Sequence, residues 1–177
     1  MPPALMIDPD ELDFDHPLVD LAGIRAVNPQ RFEMEQLTAI LRLDPQQQLI
    51  VAYKDVGHDE FWVRGHMPDF PLMPGVLMCE AAAQLCSYYI ATHGQESSDF
   101  IAFGGLENVK FRGLVRPGDR LIIAARLTEY RPRRRAIFSC QGIVGKSIVF
   151  HGDIIGVPFS KRGQTTGELV GQNAGES

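Results

Sequence analysis

One carboxylate interrupts a long apolar run. From Val76 to Thr92 the chain reads VLMCEAAAQLCSYYIAT, and Glu80 is its one formal charge. Gln84 follows four residues later, on the same face of any helix built there. Upstream, His66 sits between Gly65 and Met67, just ahead of Pro68, Pro71 and Pro74. An imidazole, an isolated carboxyl and a helix start in one short stretch offer a base, an acid and a source of positive potential. That set suits proton transfer with stabilisation of a developing negative charge.

The elements that must hold these groups can be read from the same stretch. Three prolines fix three φ angles and remove three donors, so the segment ahead of the helix is a stiff loop. Pro74 and Gly75 then open a helix, with Gly94 as its stop and His93 in its last turn. A helix apolar almost all round is expected to be buried on every side. Glu80 has three readings in that setting. An N-terminal capping carboxylate fits poorly, because a capping box wants Glu at the third helical position. A second reading puts its side of the helix against water. The third is a carboxylic acid raised in pKa by burial, a proton donor near neutral pH.

The remaining chain predicts a meander. Phe32 to Leu43 and Leu49 to Val56 read as strands joined by a turn at Asp44-Pro45. Trp62 is an apolar anchor for the proline loop, and His58 and His16 read as solvated. Beyond the helix a polar connection runs to Asp99. Phe100 to Phe103 and Leu106 to Phe111 follow as strand, broken by Gly104-Gly105, a bulge or a close approach of backbone. Three longer strands come after: Arg120 to Tyr130, Ala136 to Val144 and Ser147 to Phe159. Their turns are Arg131-Pro132-Arg133 and Gly145-Lys146. The class is α+β, one long helix on an antiparallel sheet. Residues 1–15 form an acidic arm, read as loosely held with one short helical turn, 16–160 form the domain, and 161–177 form a disordered tail.

Composition narrows the function. The 177 residues fit one domain, 45% hydrophobic and 22% charged, with a net charge of −5 that disfavours nucleic acid as a partner. No run approaches a membrane span, and MPPALMIDPDELDFD lacks the layout of a signal peptide. Cys79, Cys86 and Cys140 are odd in number and lack zinc spacing; the first two, on the helix, predict buried thiols, and a reducing cytoplasm follows. No spacing suggests a metal or nucleotide cofactor.

The block His66-Met67-Pro68-x-x-Pro71-Leu72-Met73-Pro74-Gly75-Val76-Leu77-x-x-Glu80-Ala81-x-Ala83-Gln84 resembles the signature of the β-hydroxyacyl-acyl-carrier-protein dehydratases of the FabZ type. Lys110-Phe111-Arg112-x-x-Val115-x-Pro117-Gly118-Asp119 resembles that family's second block, in the same order and spacing. His16-Pro17-Leu18-Val19-Asp20 resembles the end of its entry motif, without the usual basic and aromatic residues ahead. The resemblance covers about residues 17 to 159. It implies a hot-dog fold, a long central helix wrapped by a curved antiparallel sheet. Met67 stands where the family has Phe, and Asp69-Phe70 where it has Gly-His; Asp69 is placed to bond near His66 and raise its pKa.

The resemblance also implies an activity. The family removes water from a (3R)-hydroxyacyl thioester on acyl-carrier protein, leaving a trans-2-enoyl thioester in fatty-acid synthesis. His66 is then the base for the α-proton, and Glu80 handles the departing hydroxyl, directly or through water. The backbone N–H groups at Gly75 and Val76 hold the thioester oxygen. Leu77, Met78, Phe103 and Phe111 are candidates for the acyl tunnel. Lys110, Arg112, Arg116 and Arg120 are candidates for docking the acidic carrier with its phosphopantetheine-linked chain. His66 and Glu80 of one site come from two subunits, which implies a homodimer, alone or in a trimer of dimers. Glutamate at position 80 favours the plain dehydratase over the dehydratase-isomerase. The alternatives are a dehydratase for a specialised lipid or polyketide, and a non-catalytic hot-dog module that binds acyl carriers.

Overall fold

In the computed structural model residues 3–94 and 100–159 are described. The expected tail at 161–177 and most of the polar connection to Asp99 lie outside them. Two α-helices, α1 (Leu21–Val27) and α2 (Gly75–His93), accompany six strands: β1 (Ala39–Asp44), β2 (Leu49–Asp55), β3 (Phe100–Phe111), β4 (Arg120–Arg131), β5 (Arg135–Val144) and β6 (Ser147–Phe159). The strands form one sheet in the order β1-β2-β4-β5-β6-β3, with every neighbouring pair antiparallel.

Period-two alternation decides which side chains meet α2. Ile50 and Ala52 of β2, and Leu121, Ile123 and Ala125 of β4, share the main core with Met78, Ala81, Ala82 and Leu85 of α2. Leu49, Val51 and Tyr53, with Ile122 and Ala124, point to the other face. That second face is also apolar, so it needs a cover. The acidic arm supplies it: Met6, Ile7, Leu12 and Phe14 pack there. Gln141 clamps the arm, accepting from Met6 N–H at 2.9 Å and donating to Ala4 O at 2.8 Å. Asp10 pairs with Lys146, and the helical turn is a 3-10 turn at Pro9–Glu11 capped by Asp8. The arm is therefore packed, not loosely held.

Two further expectations change. Phe32 to Met34 is a 3-10 turn, and β1 begins only at Ala39. Phe32 has φ of 57°, which no strand allows. The Gln84 side chain takes Met34 O and Gln36 N–H, groups a ladder would need. Helix α1 was not expected. Asp20 caps it, its side chain accepting from Gly23 N–H at 2.9 Å. The strand after α2 is continuous but irregular, with register shifts between Phe103 and Gly105 and between Glu107 and Lys110. The first shift falls at Gly104-Gly105, where a bulge is one of the two readings.

Helix α2 runs from the expected start to the expected stop, with Pro74 as N-cap and Gly94 as C-cap. It is not buried on every side of a single chain. Val76 is 68% exposed. Glu80, Ala83 and Ser87 are part-buried, so a stripe at helical spacing stays open. No helix among the described residues is long and apolar enough to cross a membrane.

Candidate active site

The proline loop holds His66 from two directions. His66 N–H donates to Trp62 O at 2.7 Å, and Trp62 is buried. The ring Nδ1 lies 2.7 Å from Leu72 O. A carbonyl can only accept, so Nδ1 carries a proton and Nε2 is left as the basic nitrogen. The far end of the loop is tied by Met73 N–H to Val115 O at 2.8 Å. Met67, directly after His66, has φ of 61°. A non-glycine residue keeps that conformation only where its surroundings impose it. Asp69 is exposed and makes no hydrogen bond to His66.

Glu80 sits on the open stripe of α2. Its Oε1 accepts from Gln84 Nε2 at 2.8 Å. Gln84 is buried, and the same amide nitrogen donates to Met34 O at 2.6 Å while Oε1 accepts from Gln36 N–H at 3.0 Å. One side chain thus ties the carboxylate, the helix and the 3-10 turn together. Spacing signalled only the reach of Gln84 to Glu80, four residues away; its other two partners lie 48 and 50 positions away and left no signal. Within one chain no hydrogen bond or ion pair joins His66 to Glu80; their partners are Leu72 O and Gln84.

The start of α2 has no side-chain cap. The first N–H groups of a helix have no acceptor within it, so the amides at Gly75 and Val76 are the natural donors for an anionic oxygen. A Cβ at position 75 would meet the Phe111 ring at 2.7 Å, so a larger residue there would require that ring to shift. Phe111 therefore lies across the helix start, half exposed.

The other expected residues divide. Met78 is in the main core and Leu77 packs partly against it. Phe103 and Phe111 are exposed on β3, which is an edge strand. None of these four lines the pocket beside α1, whose walls include Leu21, Asn28, Glu35 and Gln84. Lys110 and Arg112 are exposed near the end of β3. Both depress the pKa of His151, after burial, the largest cause. Arg116 lies over the Phe70 ring at 4.4 Å. Arg120 is already engaged: its guanidinium makes two bonds to Asp55, at 2.6 and 3.0 Å, and lies over Phe14 and Tyr53.

Comparison with known proteins places this geometry among relatives. The FabA-like domain family matches residues 28–153. The 3-hydroxyacyl-[acyl-carrier-protein] dehydratase FabZ of Desulfotalea psychrophila is 35% identical over 140 residues, covering 77% of this chain and 91% of that protein. The protein of the same name from Streptococcus agalactiae is 30% identical over 129 residues, covering 73% and 91%. Among solved structures, the dehydratase heterocomplex ApeI:P from Xenorhabdus doucetiae aligns with a TM-score of 0.67 at 15% identity, over 78% of this chain and 91% of that one. The E. coli PaaI protein from the phenylacetic acid degradation operon aligns at 0.52 with 13% identity, over 67% and 80%. These structural likenesses fix the fold as the α+β hot-dog.

Proposed function

Because this chain belongs to the FabA-like domain family, among its FabZ-type dehydratases, we propose that it dehydrates 3-hydroxyacyl groups carried on acyl-carrier protein, as a hydro-lyase of fatty-acid synthesis. His66 Nε2 takes the proton from the carbon beside the thioester carbonyl. The charge that develops on the carbonyl oxygen is held by the amides at Gly75 and Val76. The Glu80 carboxyl delivers a proton to the β-hydroxyl, directly or through a water, and water leaves. The product is the trans-2-enoyl thioester.

The observation that carries this reading is the bond from His66 Nδ1 to Leu72 O, which fixes the tautomer a base needs. Two features support a site built from two subunits. Strand β3 pairs only with β6 among the described residues, so its outer edge is open, and it exposes Phe103, Leu106 and Phe111. Glu80 lies on the open stripe of α2, and His66 is not bonded to it within a chain. A homodimer joined along β3 would cover the stripe and bring His66 of one chain to Glu80 of the other. The acyl chain would run along Leu77, Phe103 and Phe111. The carrier would meet Lys110, Arg112 and Arg116. Arg120 contributes less, being held by Asp55. The three cysteines, free and buried, support a reducing compartment such as the cytoplasm.

Hydration of crotonyl thioester, followed by loss of enoyl absorbance, tests the assignment. His66→Ala and Glu80→Ala should each abolish turnover. Co-folding the two variants should restore about one quarter of wild-type activity, because half of the dimers are mixed and each carries one intact site. Full activity in either single variant would remove the assignment. No restoration in the mixture would place His66 and Glu80 of each site in one subunit.

A further inference from the structure

The most deeply buried ion pair among the described residues lies outside the groups given roles above. Lys54 Nζ is 2.7 Å from Glu60 Oε1, with the two side chains 8% and 13% exposed. Ile50 and Ala52 of β2 face α2, and Lys54 continues that alternation opposite Leu121. An ammonium in such a layer is costly without its partner, and an apolar pair of similar volume would serve stability as well or better. Stability alone therefore does not account for the pair.

Its location suggests what does. Glu60 opens the loop that carries His66. Val63 N–H donates to Glu60 O at 3.0 Å, and the N–H groups of Gly65 and His66 both donate to Trp62 O, at 3.1 and 2.7 Å. A continuous connection thus runs from β2 through the ion pair and two turns to the backbone of His66. The next residue, Met67, holds a left-handed conformation with φ of 61°.

We propose that Lys54 and Glu60 form a positioning pair, which sets where the His66 ring stands relative to the substrate's α-carbon. The inference rests on the reading of His66 as the base. Neither residue touches the reacting atoms. Their effect is on the rate of the chemical step, since a misplacement of about 1 Å can cost on the order of a hundredfold.

The test compares Lys54→Met/Glu60→Leu, Glu60→Gln and Lys54→Arg with wild type and with His66→Ala, in the crotonyl thioester assay and in thermal unfolding. The apolar double variant should fold with an unchanged or higher Tm, while kcat falls at least about tenfold and KM stays within about twofold. Glu60→Gln keeps the shape but leaves the Lys54 ammonium without its carboxylate, so it should lower Tm and, assayed well below that Tm, show the same fall in kcat at nearly constant KM. Lys54→Arg should recover most of the lost turnover. If the double variant does not fold, Glu60→Gln carries the test. Wild-type kcat in a folded variant overturns the proposal, as does a loss of activity that only tracks loss of folded protein. An active His66→Ala would instead defeat the reading of the base.

Discussion

Replacing Gln84 with leucine should cost both stability and turnover. The side chain keeps nearly its volume, so no cavity term enters. Three hydrogen bonds disappear: to Met34 O, to Glu80 Oε1 and from Gln36 N–H. Gln36 has no exposed surface, so its N–H is stranded at a cost of about 1–3 kcal/mol. Met34 O and Glu80 sit where water can replace the amide, and each loses about 0.5–1.5 kcal/mol net. The sum is about 4 kcal/mol, which in a domain of this size lowers Tm by about 10 °C. Differential scanning calorimetry gives that figure directly. The crotonyl thioester assay, run well below the new Tm, should show reduced kcat because Glu80 has lost its donor. A Tm within about 2 °C of wild type would refute the view of Gln84 as the bridge between α2 and the 3-10 turn.

Two further outcomes follow from local geometry. In Gly142→Ala the new Cβ would stand 2.2 Å from the buried Phe150 ring, an overpacking worth about 1–3 kcal/mol, read as a lower Tm with kcat little changed in surviving protein. For His151, burial first, then Arg112 and Lys110, lowers the folded pKa below the usual value near 6.5. The unfolded chain then binds more protons, so this residue's contribution is complete above 6.5 and is lost as pH falls through the folded value. The fall in Tm between about pH 7.5 and 5.5 should be smaller in His151→Gln than in wild type, and equal slopes would contradict the assignment.

Much of the fold was legible because local chemistry marks it. Pro74 and Gly94 bracket α2 where the sequence indicates, and Asp44-Pro45, Arg131-Pro132-Arg133 and Gly145-Lys146 sit at the strand ends. The region between residues 20 and 38 was not legible. Asp20 is an N-cap signal that a resemblance to an entry motif absorbed. Phe32 to Leu43 has strand composition, but Gln84 diverts its backbone through contacts distant in sequence. The open stripe of α2 was legible only as one of three readings of Glu80, because Val76 and Ala83 carry the apolar pattern across it. In the proposed dimer a second chain would cover it.

The arm on the outer face of the sheet bears on the order of folding. Its clamp, Gln141, is 135 and 137 positions from the groups it holds. Its apolar residues rest on β2, β4 and β5 together. Closing so long a loop brings no reward until those strands are already side by side. The arm should therefore settle after the sheet has formed, as a late latch. In hydrogen exchange its amides should open below the global unfolding free energy, before those of β4.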